Sequence, residues 1–256
     1  MTQDYFPHIL KITEIIDGMG LDYRMPPIQR HFEKPNLIQK PLDLAPLIEH
    51  TLLKPEATRG DILKLCDDAK RFQFRGVCVN PVFVREAKRQ LTGTNCEIIT
   101  VVGFPLGANV TATKAEEAKH IMALGADEVD MVITIGALKD GEYRTVYDDI
   151  RAVTETVGSN PVKVIIETGI LEDTEKIAAC LLAERAGAAF VKTSTGFTAR
   201  GVTVDDIILM KTVVGDRLGI KAAGGLRNFQ SARTMVAAGA SRLGCSASVA
   251  IVTEPI

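Results

Sequence analysis

Short apolar runs rich in β-branched residues punctuate the chain from residue 47 onward: LIEHTLL (47–53), GVCVN (76–80), EIITVVGF (97–104), EVDMVIT (128–134), VKVIIET (162–168), AFVKTS (189–194), IKAAGG (220–225) and RLGCS (242–246). Each has the length and residue preference of a buried strand. Between them lie stretches with apolar residues at three and four spacing, some opened by capping-box pairs such as Thr113 with Glu116 and Thr203 with Asp206. Several end on glycine, as in LGADEVD, AGAAFVK and AGASRLG, where a left-handed residue can stop a helix just before the next strand. Eight β-α units in succession predict a closed parallel barrel. An open doubly wound sheet is the rival, because a strand count does not prove closure.

Residues 1–45 lie outside the repeat, which divides the chain into an N-terminal helical extension with its connector (1–45) and a catalytic barrel (46–256). Ile9, Ile12, Ile15 and Ile16 predict an amphipathic helix, and the proline-bearing stretch RMPPIQRHFEKPNLIQKPLDLAP follows it. The extension is expected to pack on the barrel or on a neighbouring subunit. Ten residues follow Ser246, so the eighth helix must be short.

Charge and composition remove several function classes. With 30 basic and 32 acidic residues the net charge is −2, and no block of like charge suggests a nucleic-acid arm or a membrane-surface patch. The five cysteines are odd in number, scattered and free of a C-x-x-C pair, which argues against a disulfide framework or a zinc knuckle and for a reducing cytoplasm. No basic leader and no stretch of about 18 apolar residues occurs, so a soluble, unexported protein is expected.

In a barrel of this kind the working face is the carboxyl end of the strands, so polar residues late in a run matter most. That filter selects Lys192, Lys221 and Asp130. Alternation places Lys192 on one side with Phe190 and Ser194, Lys221 with Ala223, and Asp130 with Val132 and Thr134. If those sides face inward, two amines and a carboxylate meet in one cavity. Burial and a second cation both favour the free amine a nucleophilic lysine needs, so Lys192 and Lys221 are expected to depress each other's pKa. Asp130 could then move protons. A plainer alternative makes each lysine half of an ion pair with Asp130. Small residues after the sixth, seventh and eighth runs, namely Gly196, Gly224, Gly225, Gly244 and Ser246, suit a backbone cradle for a phosphate, and Arg227 could assist; a Gly-Gly pair can also simply turn the chain.

The strings HTLLKPEAT (50–58), GVCVNP (76–81), VVGFPLGA (101–108), EVDMVI (128–133), GALKDGEY (136–143), KVIIETG (163–169), FVKTSTGF (190–197) and IKAAGGLR (220–227) together resemble the deoxyribose-phosphate aldolase family, colinearly from about residue 45 to 247. The resemblance implies a TIM barrel and a class I aldolase of deoxyribonucleotide catabolism. Such a lyase needs no metal or other cofactor and cleaves 2-deoxy-D-ribose 5-phosphate reversibly to D-glyceraldehyde 3-phosphate and acetaldehyde. It further implies Lys192 as the Schiff-base lysine, Lys221 as the residue lowering its pKa, Asp130 as the proton-transfer group, and a homo-oligomer, dimer or tetramer. Cys78 falls where family members often carry a cysteine facing the pocket, although a buried packing cysteine is the preferred account. Glu49, Thr134, Ala222, Ala223 and Ala247 depart from the expected pattern, as does the short C-terminus. The alternatives are another Schiff-base sugar-phosphate aldolase on the same barrel and a catalytically silent phosphate-binding barrel.

Overall fold

The protein is described by a computed structural model covering residues 4–22, 38–198 and 200–255. The eight apolar runs all become strands: β1 (Ile48–Leu52), β2 (Gly76–Val79), β3 (Glu97–Val102), β4 (Glu128–Val132), β5 (Val162–Ile165), β6 (Phe190–Lys192), β7 (Gly219–Ala223) and β8 (Arg242–Cys245). They pair in chain order, all parallel, and β8 returns to β1 with Leu243 opposite Ile48. That last pairing closes the sheet and rules out the open rival.

Among the described residues one α-helix, α1 (Phe6–Asp17), precedes the barrel. The crossovers then carry α2 (Arg59–Phe72), α3 (Val84–Leu91), α4 (Thr111–Leu124), α5 (Ile135–Lys139) with α6 (Tyr143–Val157), α7 (Asp173–Arg185), α8 (Val204–Val214) and α9 (Phe229–Ala238). After β8 comes α10 (Ser248–Val252), about one turn long, in line with the short eighth helix expected. Thr203 caps α8 as the sequence predicts, its Oγ1 accepting from Asp206 N at 3.1 Å while Asp206 Oδ2 accepts from Thr203 N at 3.2 Å. The Thr113–Glu116 pair does not cap α4. That helix starts three residues earlier, with Val110 rather than Thr113 at its N-cap. Gly125 ends α4 in the left-handed conformation, and Gly187 and Gly239 follow α7 and α9 with positive φ, in line with the glycine signals.

The extension helix forms as its isoleucines predict, but only part of the expected apolar face is buried. Ile12 and Ile16 are buried, Ile9 is partly buried, and Ile15 faces solvent. The helix lies along α7 and beside α8, near Leu181 and Val213, with Asp17 paired to Arg185. Tyr147 of α6 donates to Asp22 O at 2.6 Å. Residues 4–22 therefore pack on the chain's own barrel. Most of the proline-bearing connector lies outside the described residues. The described part resumes at Ile38 and enters β1 through a 3₁₀ turn, Pro41–Leu47, which packs against α9 and α10.

Strand register sets the interior. Glu49 lies level with Gly244, Asp130 with Lys163, Lys163 with Phe190, Lys192 with Ile165 and Lys221, and Lys221 with Arg242. The inward side of the barrel thus carries ionisable residues where a layer of branched apolar residues is usual. The outward sides of the strands pack apolar residues such as Val129, Met131, Val164 and Val191 into the main core with the helices.

Truncating a buried α1 residue tests this packing. Ile16→Ala should lower unfolding free energy by about 3 kcal/mol and exposed Leu10→Ala by less than about 0.5 kcal/mol, measured by chemical denaturation. Equal effects would show that the helix is not held on α7.

Candidate active site

The barrel centre holds three lysines against three carboxylates, all with side chains at most 3% exposed. Asp130, on β4, is the hub. Its Oδ2 accepts from Lys192 Nζ at 2.8 Å and from Lys221 Nζ at 2.6 Å, and its Oδ1 accepts from Lys163 Nζ at 3.0 Å. Lys163 also meets Glu128 Oε2 at 2.6 Å and Glu49 Oε1 at 3.5 Å, and Lys221 is hydrogen-bonded to Glu49 Oε2. Equal numbers of opposite charges make so much buried charge tolerable, because each desolvated ion faces at least one partner.

Titration follows from this geometry. Burial alone would raise the Asp130 pKa, yet Lys163, Lys192 and Lys221 hold it well below the ordinary carboxylate value of 3.8. Glu128 feels the same opposition between burial and Lys163, and settles at about 2. Burial works against the charge on Lys221, but the carboxylates of Asp130 and Glu49 outweigh it and move its pKa above the ordinary lysine value. Lys163 is likewise raised, with burial opposed by Asp130, Glu128 and Glu49. The expected mutual depression therefore fails for Lys221. Asp130 stands between the two amines and, with Glu49, fixes Lys221 as a cation. The ion-pair alternative is met in the geometry of both lysines.

Lys163, Glu49 and Glu128 were not among the residues selected from the sequence. The preference for late strand positions set Lys163 and Glu128 aside, although the strand tilt of a barrel places early residues of one strand level with later residues of the next. Alternation was the usable signal, since Lys163 shares a side with Ile165 and Glu167. Glu49 was noticed only as a departure from the expected pattern; its carboxylate reaches both Lys221 and Lys163.

Above the charge cluster opens a cavity of about 390 Å³ at the carboxyl end of the barrel. Residues 51–54, Lys192, residues 195–197 and 223–227, Gly244 and Ser246 line it. Lys192 is the lysine of the cluster in its wall; Lys163 and Lys221 do not line it and are fully buried. All five proposed cradle residues and Arg227 are in the lining. Gly196, Gly224 and Gly225 have φ of 84°, 98° and 83°, which suits glycine. Among the described residues nothing accepts from their N–H groups. Backbone donors without a partner among the described residues, on glycines that line a cavity, suit an anion. Gly244 has a further reason to lack a side chain, because a Cβ there would come within 3.0 Å of Lys221 Cε.

The loop after β6 is held from behind by Glu167, which is buried with φ 60° and ψ 59°. Left-handed backbone costs a non-glycine residue about 1 kcal/mol or more, so its surroundings must hold it there. Its carboxylate accepts from Thr195 N at 3.1 Å and from Thr198 Oγ1 at 3.1 Å. Phe197, in the same loop, meets Phe104 edge to face at 5.2 Å. Cys78 is not in the cavity lining. It packs with Leu53, Ile99 and Val101, and burial pushes its thiol up to about 11, so the packing role describes it. Thr134 accepts from Lys114 Nζ at 3.3 Å, and Lys114 is itself buried against Asp149 at 2.6 Å beneath the β3–α4 loop.

An amine in the wall of a cavity at the carboxyl end of a closed β/α barrel marks the chain as a barrel enzyme. Comparison with known proteins narrows the class. The profile of the DeoC/LacD family aldolases matches residues 46–251, and the chain belongs to that family. It is 55% identical over 210 residues to the deoxyribose-phosphate aldolase of Thermotoga maritima, covering 82% of this chain and 85% of the relative. A crystal structure from Coccidioides immitis, provisionally assigned as a deoxyribose-phosphate aldolase, superposes with a TM-score of 0.85 at 37% identity. That match covers 99% of this chain and 98% of the other, so it takes in the segment ahead of the barrel. The tetrameric deoxyribose phosphate aldolase of Aeropyrum pernix matches with a TM-score of 0.80 at 29% identity, over 87% of this chain and 96% of its own.

Two predictions follow from the charge cluster. Glu128 and Asp130 have folded-state pKa values below their ordinary ones, so the stability they contribute is present above about pH 4.5 and lost as pH falls through the folded values. For Glu128, a drop from 4.5 to about 2 corresponds to about 3 kcal/mol. Lys163 and Lys221 have raised values, so their contribution is complete below pH 10.5 and lost only above it. Melting temperature should therefore be flat from pH 6 to 9 and fall steeply below about pH 4.5, and Glu128→Gln should make the acid limb shallower. An unchanged limb in that variant would remove Glu128 from the account. Second, Lys221→Met leaves Glu49 and Asp130 short of a cation and should cost about 3–5 kcal/mol, most of which Glu49→Gln should restore in the double variant. Additive losses in denaturant melts would refute the charge balance.

Proposed function

We propose that the protein is a class I deoxyribose-phosphate aldolase that forms its Schiff base on Lys192. The observation that carries this reading is the position of Lys192, which joins a buried charge cluster at one end and the cavity wall at the other. The identity to the Thermotoga maritima enzyme supports the substrate.

The open-chain sugar would enter with its phosphate at Gly196, Gly224, Gly225, Gly244 and Ser246, near Arg227, and its C1 aldehyde at Lys192. The amine adds to C1, and loss of water gives an iminium ion. The C3 hydroxyl then loses its proton and the C2–C3 bond breaks, with its electron pair passing into the iminium to form an enamine. Asp130 is the proton carrier in this scheme, directly or through a water, being 2.8 Å from Lys192 Nζ. Held ionised by its lysines, it is a weak base, and its larger effect is to oppose the positive charge that accumulates on the Lys192 nitrogen. Lys221 and Lys163 keep that carboxylate fixed. Glyceraldehyde 3-phosphate departs first. The enamine takes a proton at C2, and water releases acetaldehyde from Lys192.

The tetrameric Aeropyrum pernix relative supports a homo-oligomer. No described helix is long and apolar enough to cross a membrane, which is in keeping with a cytoplasmic catabolic enzyme acting on a small sugar phosphate.

Acetaldehyde followed by borohydride should leave one ethyl group on the peptide containing Lys192, read by mass spectrometry, and Lys192→Arg should abolish both the adduct and turnover. An adduct formed only with dihydroxyacetone phosphate would point to another Schiff-base aldolase. No adduct with either, together with binding of sugar phosphate, would favour a silent barrel. Prolonged dialysis against a chelator should leave the rate unchanged, whereas inactivation reversed by zinc would replace the scheme.

A further inference from the structure

We infer that Glu167 is a positioning residue for the phosphate end of the cavity. It acts from behind the β6–α8 loop to hold the Gly196 peptide in place for an anion it does not itself touch. This inference rests on the proposed phosphate site and adds to it a residue outside the cavity wall.

Three independent features of Glu167 converge. Gln73 and Glu167 are the two non-glycine residues with positive φ among the described residues. Gln73 terminates α2, which accounts for its conformation. Glu167 terminates no α-helix; it turns the chain at the end of β5 into a single 3₁₀ turn. The turn brings residues 167 and 168 alongside the β6–α8 loop, where they bond to it at four places. Thr168 N donates to Thr193 O at 2.8 Å. The Glu167 carboxylate takes Thr195 N and Thr198 Oγ1, and Arg200 Nη2 donates to Thr168 O at 2.8 Å. Every second or third residue of the loop is pinned to the same dipeptide.

The pattern of donors left over shows what the clamp accomplishes. Thr195 N–H is occupied by Glu167, and Phe197 N–H by Thr195 Oγ1 at 3.1 Å. Gly196, between them, has no acceptor for its N–H among the described residues, and it lines the cavity together with Gly224 and Gly225. An acidic side chain so close to an anion site would repel the anion if it shared its space. Glu167 is 1% exposed and is absent from the cavity lining, and its oxygens are engaged with loop donors. It stands on the far side of the loop. Freezing the loop before the ligand arrives removes an ordering cost that binding would otherwise bear.

The test separates positioning from chemistry by comparing substrates with and without a phosphate. Glu167→Gly permits the same backbone conformation and deletes the clamp; Glu167→Gln keeps one acceptor and should recover part of the function. For Glu167→Gly, KM for 2-deoxyribose 5-phosphate should rise about tenfold or more, with kcat changed by less than about threefold. Turnover of unphosphorylated 2-deoxyribose at subsaturating concentration should change by less than about twofold, with Glu167→Gln falling between variant and parent. Titration calorimetry with inorganic phosphate gives a readout independent of turnover, and the variant should bind about tenfold more weakly than the parent. Equal losses on both sugars, or phosphate binding that is unchanged by the substitution or absent in the parent, would overturn the inference. Loss of the Lys192 adduct in the parent protein would instead overturn the aldolase reading, leaving the phosphate titration to decide on Glu167. A variant that does not fold passes the decision to Glu167→Gln by the same measurements.

Discussion

The carboxylate of Asp130 carries the centre of this barrel. Three ammonium groups converge on its two oxygens in a space almost sealed from solvent, and removing any one ion unbalances the charge of the rest. Apolar side chains of similar volume would fill the same layer with less electrostatic cost. One of the three amines reaches the cavity, and the other two hold the carboxylate in place. The remaining acids, Glu49 and Glu128, restore the count of charges and tie β1 and β4 to Lys221 and Lys163.

Much of the architecture could be read from the chain because strand burial leaves a local imprint. Runs such as EVDMVIT and VKVIIET are apolar on both faces in the manner of parallel strands, and the glycines after α4, α7 and α9 mark the returns. The capping pair at Thr203 and Asp206 was informative, whereas the one at Thr113 was not, because a short-range signal competes with the geometry of the loop that delivers the chain. Lys192, Lys221 and Asp130 could be found by alternation along their strands. Lys163 and Glu128 could not be found by position within a strand, because the level at which a side chain sits depends on barrel tilt, a property of eight strands together.

The direction of the Lys221 titration was not readable either. Two lysines predicted near each other suggest repulsion, and only the third dimension places carboxylates between and behind them. Glu167 was hidden for a similar reason. Nothing in IIETG distinguishes a surface glutamate from one folded under a neighbouring loop, and its left-handed backbone is sustained by contacts with residues nearly thirty positions later.

The placement of α1 has a bearing on how the chain matures during synthesis. The helix leaves the ribosome ahead of the barrel, yet the surface that buries Ile12 and Ile16 belongs to α7 and α8, which emerge only after most of the barrel. Until then its apolar stripe has no intramolecular home. The nascent chain must therefore carry an uncovered amphipathic segment through most of translation, and docking of α1 can take place only after the later crossovers have formed, as one of the last events of folding.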